Sequence, residues 1–331
     1  MRIHRGYDPH FAGGCALTIG NFDGVHRGHQ AMLALLTSEA RHRGLPACVM
    51  TFEPHPRDFF AARAGTPQAA PARIALLRDK LAELQRCGID DVLLVRFDQR
   101  LASMPAEQFI SRVLRQGVNA RYVLVGDDFS FGAKRAGNYA MLDAAGSAAG
   151  FDVARMLSYE VHGLRVSSSA VRDALAAGDM AQAEALLGRP YAISGHVQHG
   201  RKLGRELGFR TLNLRFGHSK PAASGIFVVQ VHGLQDDPDA SPLPGVASLG
   251  VRPTLEDAGR VLREVHCLDW PDTLGSEGAY GRCVRVELLH KLHDELKYPS
   301  LDALRRGIAE DTAAARRWWH AARASPGTAA R

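Results

Sequence analysis

Two different spacings of apolar residues divide the chain near residue 188. In the first part, short apolar runs alternate with stretches in which apolar residues recur every three to four positions, which predicts strands alternating with helices. The predicted strands cover residues 16–19, 47–52, 91–97, 121–126 and 152–157. This order is typical of an α/β domain with a doubly wound, Rossmann-like parallel sheet, which binds its ligands at the carboxyl ends of the strands.

The pattern changes after Arg189 and Pro190. Short alternating runs separated by turns predict an antiparallel six-stranded β-barrel. The runs are residues 191–197, 211–214, 225–231, 245–249, 262–268 and 282–288. A C-terminal helix capped by Ser300 follows and is predicted to plug or brace the barrel. Its apolar face would be formed by Leu301, Leu304, Ile308 and Trp319. We therefore predict two domains, residues 1–188 and 189–331.

The loop at residues 20–29 (GNFDGVHRGH) lies between the first predicted strand and the first predicted helix. Its glycines let a large anion approach the backbone N–H groups at the helix start, which predicts a phosphate site. His26 and His29 are three residues apart and, if the helix begins near Arg27, stand on one face of its first turn. A capped helix with solvated histidines is the alternative.

Two more motifs follow predicted strands. Residues 53–56 (EPHP) hold the chain extended around His55, where a simple turn and a ligand contact are equally good interpretations. Asp127 and Asp128 end a strand, and such carboxylates meet a ribose hydroxyl, Mg²⁺ or a cationic ring edge, or line a solvated loop. The small, turn-rich residues 61–72 predict a mobile loop that covers the site.

A second helix start is predicted at the serines that precede residue 170. Ser167, Ser168 and Ser169 stand between Arg165 and Arg172. Serine hydroxyls, helix N–H groups and two arginines together favour an anion-binding helix end.

In this order, the motifs resemble those of FMN adenylyltransferase, a family within the nucleotidylyltransferase superfamily. The segments are GNFDGVHRGH at 20–29, TFEPHP at 51–56, VGDDFSFG at 125–132 and RVSSSAVR at 165–172. The resemblance implies that FMN attacks the α-phosphorus of ATP in line, with Mg²⁺ and without a covalent intermediate, and that His26 and His29 are catalytic. It implies an ATP site at Gly20, Phe22, Asp23, Gly24, His26, His29, Arg165, Ser167, Ser168, Ser169 and Arg172. It implies an FMN site at His55, Pro56, Asp127 and Asp128.

Glycines are interleaved with basic residues between the first two barrel runs. The segment at 199–213 reads HGRKLGRELGFRTLN, a pattern that can fold over a polyphosphate or form an ordinary basic hairpin. Thr211 and Asn213 are two apart on a strand and point the same way, so a hydroxyl and an amide oxygen can hold a hard cation such as Mg²⁺.

Residues from about 190 to 320 resemble a riboflavin kinase domain. The matching segments are GVASLGVRPT at 245–254, EVH at 264–266, YG at 280–281 and SLDAL at 300–304, with Asp311. The resemblance implies Glu264 as general base for the riboflavin 5′-hydroxyl. It implies ATP at Gly200, Gly204, Gly208, Thr211 and Asn213, with Mg²⁺ at the last two. The family's FPTAN reads FRTLN at 209–213, so Arg210 and Leu212 are expected to alter loop geometry and rate.

The whole chain thus resembles the bifunctional bacterial riboflavin kinase/FAD synthetase family, which forms FMN from riboflavin and ATP, and FAD from FMN and ATP. A first rival interpretation retains only the N-terminal activity, with a barrel that binds flavin but phosphorylates it poorly. A second treats the barrel as a nucleic-acid-binding fold. Its strands lack interleaved aromatic and basic residues, so we expect no nucleic-acid partner.

Composition adds little to this assignment. The 331 residues carry a formal net charge of +6, which suits phosphorylated ligands and nucleic acid alike. Five cysteines without CxxC spacing indicate neither a disulfide framework nor a zinc site. The N-terminus has no signal-peptide pattern, and no stretch approaches the ~18 apolar residues of a membrane span. We expect a cytoplasmic protein with no membrane partner, whose ligands are ATP, riboflavin and FMN.

Overall fold

The computed structural model describes residues 1–161, 163–199, 209, 211–215, 220–237, 240–251, 261–275 and 277–324. The chain forms two compact units. The α/β unit comprises Met1–Pro71 and Lys80–Ser167, and the barrel unit comprises Ala72–Asp79 and Ser168–Arg331. Residues 168–188, which the sequence assigned to the first domain, and the segment Ala72–Asp79 therefore belong to the barrel unit. The functional boundary at residue 188 stays a prediction.

A six-stranded sheet in which all neighbouring strands are parallel forms the centre of the α/β unit. Its strands are β1 (Arg2–Arg5), β2 (Cys15–Ile19), β3 (Ala47–Glu53), β4 (Asp91–Arg96), β5 (Ala120–Gly126) and β6 (Asp152–Met156). Their order is β1-β4-β3-β2-β5-β6, so the chain moves outward from β2 through β3 and β4 and returns to the other side of β2 at β5. Such a reversal places the ligand crevice at the carboxyl end of β2.

Helices cover both faces of this sheet. They are α1 (Arg27–His42), α2 (Pro56–Arg63), α3 (Leu77–Arg86, in this unit from Lys80 onward), α4 (Gln99–Ala102), α5 (Ala106–Gln108, continuing as a π-helix over Phe109–Val118) and α6 (Tyr139–Ala149). Leu33 and Leu36 of α1 pack on one face, and Val113 and Leu114 pack on the other. A hairpin, β7 (Glu160–Val161) and β8 (Leu164–Arg165), completes the unit.

Several local expectations for this unit were wrong. The segment expected to be a loop over residues 61–72 begins inside α2, and a 3₁₀ turn follows at Pro67–Ala69. Strand β1 was missed because its four residues, RIHR, contain only one apolar side chain and lie at the sheet edge.

The barrel unit contains the predicted closed antiparallel six-stranded barrel. Its strands are β9 (Tyr191–Gln198), β10 (Thr211–Arg215), β11 (Gly225–His232), β12 (Leu243–Val251), β13 (Val261–Cys267) and β14 (Cys283–His293), in the order β10-β13-β12-β11-β14-β9. Helices α7 (Ser168–Ala177), α8 (Met180–Leu187) and α9 (Leu301–Ala324) complete the unit.

Helix α9 braces the barrel from outside. Side chains alternate along each strand, and Phe227, Val229 and Val265 belong to the fully buried inward set. Val228 and Val246 belong to the opposite set and form one apolar cluster with Ala315, Trp318 and Trp319. The Ser300 hydroxyl accepts a hydrogen bond from the Ala303 N–H, as the predicted cap requires. Leu301, expected on the apolar face, is 58% exposed because it lies in the first turn, beyond the cluster.

Candidate active sites

The glycine loop after β2 is held in a conformation that most residues avoid. Phe22, Gly24 and Val25 have φ angles of 49°, 84° and 40°. Glycine adopts this region freely, but Phe22 and Val25 do not. Both side chains are buried in the same apolar cluster as Leu33 and Leu36, so core packing fixes the loop backbone. Strain of this kind is common where a backbone is shaped for a ligand.

His26 is the N-cap of α1, which begins at Arg27 as predicted. Its Nδ1 accepts a hydrogen bond of 3.3 Å from the backbone N–H of His29. His26 Nδ1 therefore caps the helix, as the alternative interpretation held. Because Nδ1 accepts this hydrogen bond, a neutral His26 ring carries its proton on Nε2. The two imidazole rings stack with centroids 3.6 Å apart. Gly28 permits this arrangement, since a Cβ there would lie 3.3 Å from the His26 ring.

His29 is surrounded differently from His26. Its Nδ1 is buried and has no hydrogen-bond partner, and its ring lies 5.0 Å from the ring of Phe22. Burial first, then His26 and the Lys80 ammonium, lower the pKa of His29 well below its ordinary value. His29 is therefore neutral at physiological pH, and Nδ1 of its ring is left without a hydrogen-bond partner.

Lys80 was missed by the sequence interpretation. It is 7% exposed on the inward side of α3, one turn before Leu84. Its Nζ donates hydrogen bonds to the Asn21 carbonyl (3.2 Å) and to Oγ1 of Thr51 (3.1 Å). A lysine four residues before a leucine on an apolar helix face was the available signal, although such a lysine usually lies at the rim of the face.

The end of β5 carries the predicted acidic pair. Asp127 accepts a hydrogen bond of 2.5 Å from the Ser158 hydroxyl and lies 3.5 Å from the Arg165 guanidinium. These two contacts, in that order, lower the pKa of Asp127 despite partial desolvation. Asp128 is 3.9 Å from the same guanidinium, and its side chain is 83% exposed. Arg165, predicted to bind ATP, thus lies beside the two residues predicted to bind FMN.

At the end of β3, His55 is the N-cap of α2. Its Nδ1 accepts a hydrogen bond of 3.0 Å from the Arg57 N–H, and Pro56 occupies the first turn. Because β3, β2 and β5 are neighbours in the sheet, His55, the glycine loop and Asp127 all lie at adjacent strand ends. The turn interpretation of His55 and the ligand interpretation are therefore compatible.

The arginine–serine segment is divided between the two units. A Cβ on Gly28 would lie 3.4 Å from the carbonyl oxygen of Val166, so the residue after Arg165 is beside the start of α1. Helix α7 begins at Ser168 in the barrel unit, where Arg172 Nε donates a 2.7 Å hydrogen bond to the Ala72 carbonyl. A place for Ser168, Ser169 and Arg172 in an ATP site stays a prediction.

The barrel aligns the residues predicted for the kinase reaction in two cross-strand rows. Asn213 of β10 is paired with Glu264 of β13, and Glu264 is paired with Ser248 of β12. Thr211 is paired with His266 in the next row on the same face. Side chains that face each other in this way have Cβ atoms about 5 Å apart. The Ser248 hydroxyl donates a 3.1 Å hydrogen bond to Oε1 of Glu295, which adds a second carboxylate beside this row.

Leu212 differs from the family motif and lies between the two residues predicted to bind Mg²⁺, Thr211 and Asn213. Its side chain faces away from theirs. It is 3% exposed and belongs to the inward set of the barrel. Phe209 precedes Thr211 by two residues, and the centroid of its ring is 5.3 Å from the centroid of the His266 ring. The leucine is thus accommodated by the core. Gly200, Gly204, Gly208 and Arg210 lie outside the described residues.

The described portion of the chain contains no group of three or more His, Cys, Asp or Glu side chains placed to hold a metal ion. None of its helices is long and apolar enough to cross a membrane.

The two units correspond to two known families. Residues 8–170 match the FAD synthetase family model, and residues 187–319 match the riboflavin kinase family model. A bifunctional riboflavin kinase/FMN adenylyltransferase of Escherichia coli K12 is 46% identical over 306 residues, which cover 92% of this chain and 93% of the relative. The chain belongs to the bifunctional riboflavin kinase/FMN adenylyltransferase family.

Other relatives agree with this assignment. The bifunctional riboflavin kinase/FMN adenylyltransferase of Haemophilus influenzae is 41% identical over 93% of this chain and 95% of its own length. The crystal structure of a Streptococcus pneumoniae protein described as a macrolide-efflux protein aligns with a TM-score of 0.74 and 26% identity, covering 96% of this chain and all of that one. This structural likeness supports the fold. The description as an efflux protein belongs to the Streptococcus pneumoniae protein and carries no argument about this chain.

Proposed function

We propose that the protein converts riboflavin to FMN with one ATP in the barrel unit, and FMN to FAD with a second ATP at the glycine loop. The observation that carries this proposal is the family match over nearly the whole chain, in the same domain order. In each unit, predicted site residues from separate parts of the sequence are neighbours. A substrate requirement for ATP suits a cytoplasmic location, as do the free cysteines, since thiols stay reduced in the cytosol.

Adenylyl transfer needs positioning more than proton chemistry. A phosphate oxygen of FMN bonds to the α-phosphorus of ATP as the bond from that phosphorus to the bridging oxygen breaks, and pyrophosphate leaves. The protein's task is to hold the two phosphates in line and to stabilise charge in the transition state. His29, His26 and Arg165 are assigned this task for ATP, and His55, Pro56, Asp127 and Asp128 are assigned to FMN.

Riboflavin phosphorylation requires a base. Glu264 accepts the proton of the 5′-hydroxyl while the hydroxyl oxygen bonds to the γ-phosphorus, and ADP leaves with the electrons of the broken bond. The neighbouring Thr211 and Asn213 supply hard oxygen donors, a donor set that fits Mg²⁺. Bound there, Mg²⁺ would neutralise charge on the phosphates of ATP.

The proposal is tested by incubating the purified protein with riboflavin, ATP and Mg²⁺, and separating riboflavin, FMN and FAD by chromatography. FMN should appear first and FAD afterwards. FAD formed from supplied FMN but never from riboflavin would restrict the protein to the N-terminal activity. A protein that forms neither product would refute the proposal.

A further inference from the structure

Lys80 occupies a position that an apolar residue would fill at lower cost. On α3 it is one turn before Leu84, which is fully buried, and it is the one lysine in the described residues that is buried to this degree. Lysine is almost never buried in a core, since removing an ammonium group from water is expensive. Helix formation and core packing do not require a lysine here.

The contacts of Lys80 join the glycine loop to the neighbouring strand. Its Nζ donates to the Asn21 carbonyl and to Thr51 Oγ1, and the Thr51 hydroxyl donates a 3.2 Å hydrogen bond to the same carbonyl. Asn21 immediately precedes Phe22, where the backbone enters the left-handed region. The ammonium group and the hydroxyl therefore fix the peptide from which the strained part of the loop departs.

The same ammonium group places a positive charge beside the catalytic histidine. It is one of the causes that keep His29 neutral, after burial and His26. The loop also contains a buried ring nitrogen that lacks a hydrogen-bond partner, His29 Nδ1. The positive charge of Lys80 beside this ring favours a bound anion.

We propose that Lys80 is a positioning residue for adenylyl transfer: its ammonium group fixes the glycine loop through Asn21 and Thr51 and holds a positive charge beside His29 for the phosphate groups of ATP. This inference rests on the proposed function of the α/β unit. Lys80 forms no bond to the reacting atoms. It acts through the loop and through the charge that the phosphates experience.

The test replaces the lysine by a neutral side chain of similar length, Lys80→Met. FAD formation from FMN should fall about 100-fold, the usual effect of removing one oriented charge or donor from a transition-state site. FMN formation from riboflavin should stay within twofold of the wild type. The free energy of unfolding should be unchanged or higher, because the variant no longer buries an ammonium group. Leu84→Met, at the next inward position of the same helix, is the matched control and should keep both activities.

A second readout distinguishes charge from simple packing. In a histidine NMR titration, the pKa of His29 should rise in Lys80→Met, since one of the causes that lower it is gone. Thr51→Val, which removes only the hydroxyl contact, should lower FAD formation less than Lys80→Met does. It should shift the His29 titration little.

Three results would overturn the proposal. They are FAD formation within threefold of the wild type in Lys80→Met, a parallel loss of both activities together with lower stability, or an unchanged His29 titration. If Lys80→Met fails to fold, the same measurements on Lys80→Gln, which keeps a donor and removes the charge, decide the question. A wild-type protein that forms no FAD would refute the adenylyltransferase function instead, while the titration would still test the effect of the charge.

Discussion

The two histidines of the glycine loop differ in role although they are three residues apart and stack on each other. His26 uses Nδ1 to cap α1, so part of its contribution is to the helix start itself. His29 is half-buried and neutral, and its buried Nδ1 has no hydrogen-bond partner. The residue pattern alone assigned both to the phosphate, whereas the structure leaves His29 as the more specialised of the two.

Replacing His29 by alanine tests this distinction. We expect FAD formation to fall by about 100-fold or more, because a donor to the transferring phosphate is lost, while FMN accumulates from riboflavin. Chromatography of flavins from one reaction measures both. His42→Ala, an exposed histidine at the other end of α1, should behave as the wild type. Loss of both activities in a folded His29 variant would contradict the division between the units.

Glu264 provides the converse test. In Glu264→Ala, phosphorylation of riboflavin should become undetectable, because no base accepts the hydroxyl proton, while supplied FMN should still become FAD. Rates of FMN and FAD formation are followed separately. Glu310→Gln, an exposed carboxylate on α9, serves as the control. A kinase rate within tenfold of the wild type would exclude Glu264 as the base.

At the scale of elements, the residues of the proposed adenylyltransferase site lie at strand ends and helix starts. The motifs at 20–29, 53–56 and 127–128 follow β2, β3 and β5, which are adjacent in the sheet although up to about 100 residues separate them in sequence. Strand and helix types followed from apolar periodicity because both faces of the sheet are buried. Helix α2 was missed because its eight residues, PRDFFAAR, bury none of their side chains and so leave no periodic pattern.

The packing of α9 against the barrel contains a titratable contact. The His293 ring has Nε2 2.7 Å from Oδ1 of Asp311 and Nδ1 2.7 Å from the Asp294 carbonyl. Burial lowers the pKa of His293, but the hydrogen bonds to Asp311 and then Asp294 outweigh it, so the pKa is raised. Two oxygen acceptors at one ring require both nitrogens to donate, so the protonated ring is the one that fits this site.

This contact predicts a pH dependence of barrel stability. The folded-state pKa of His293 exceeds the unfolded value of about 6.5, so its contribution is complete below that pH and is lost as pH rises through the folded-state pKa. Tryptophan fluorescence reports the transition, since all three tryptophans lie in the barrel unit. The melting temperature of the wild type should fall between pH 6 and 9 relative to Asp311→Asn. Parallel curves for the two proteins would contradict the assignment.

For the whole molecule, the two reactions are consecutive and FMN links them. Nothing in the chemistry requires FMN to stay on one chain, because it is the product of one site and a substrate of the other. The proposed catalytic residues of the two reactions lie in different units of the fold, with Glu264 in one and His29 in the other.

Mixing two variants that each lack one of the two activities tests whether FMN passes from one chain to another. Equal amounts of His29→Ala and Glu264→Ala should together convert riboflavin to FAD, although neither does so alone, because FMN released by the first is used by the second. The measurement is the FAD yield over time against wild type at the same total concentration. Accumulation of FMN without FAD in the mixture would mean that FMN made by one chain does not reach the site of another.

Sequence alone determined the order and types of the main elements, the two architectures and the motifs of both sites. Local periodicity, turn residues and helix caps are short-range properties, because each depends only on residues that are close together in the sequence. The antiparallel six-stranded barrel was predicted for the same reason, from six short alternating runs separated by turns. The resemblance of motifs then supplied the chemistry.

Only the tertiary structure decided which residues meet across the chain. It brought Lys80 to Asn21 and Thr51 and placed Arg165 beside Asp127. Each of these contacts joins distant segments of the chain, and no local pattern encodes it. The loop at residues 20–29 was thus predicted from sequence to be a phosphate site, but its strained backbone, its neutral His29 and its contact with the buried Lys80 are properties of the folded protein.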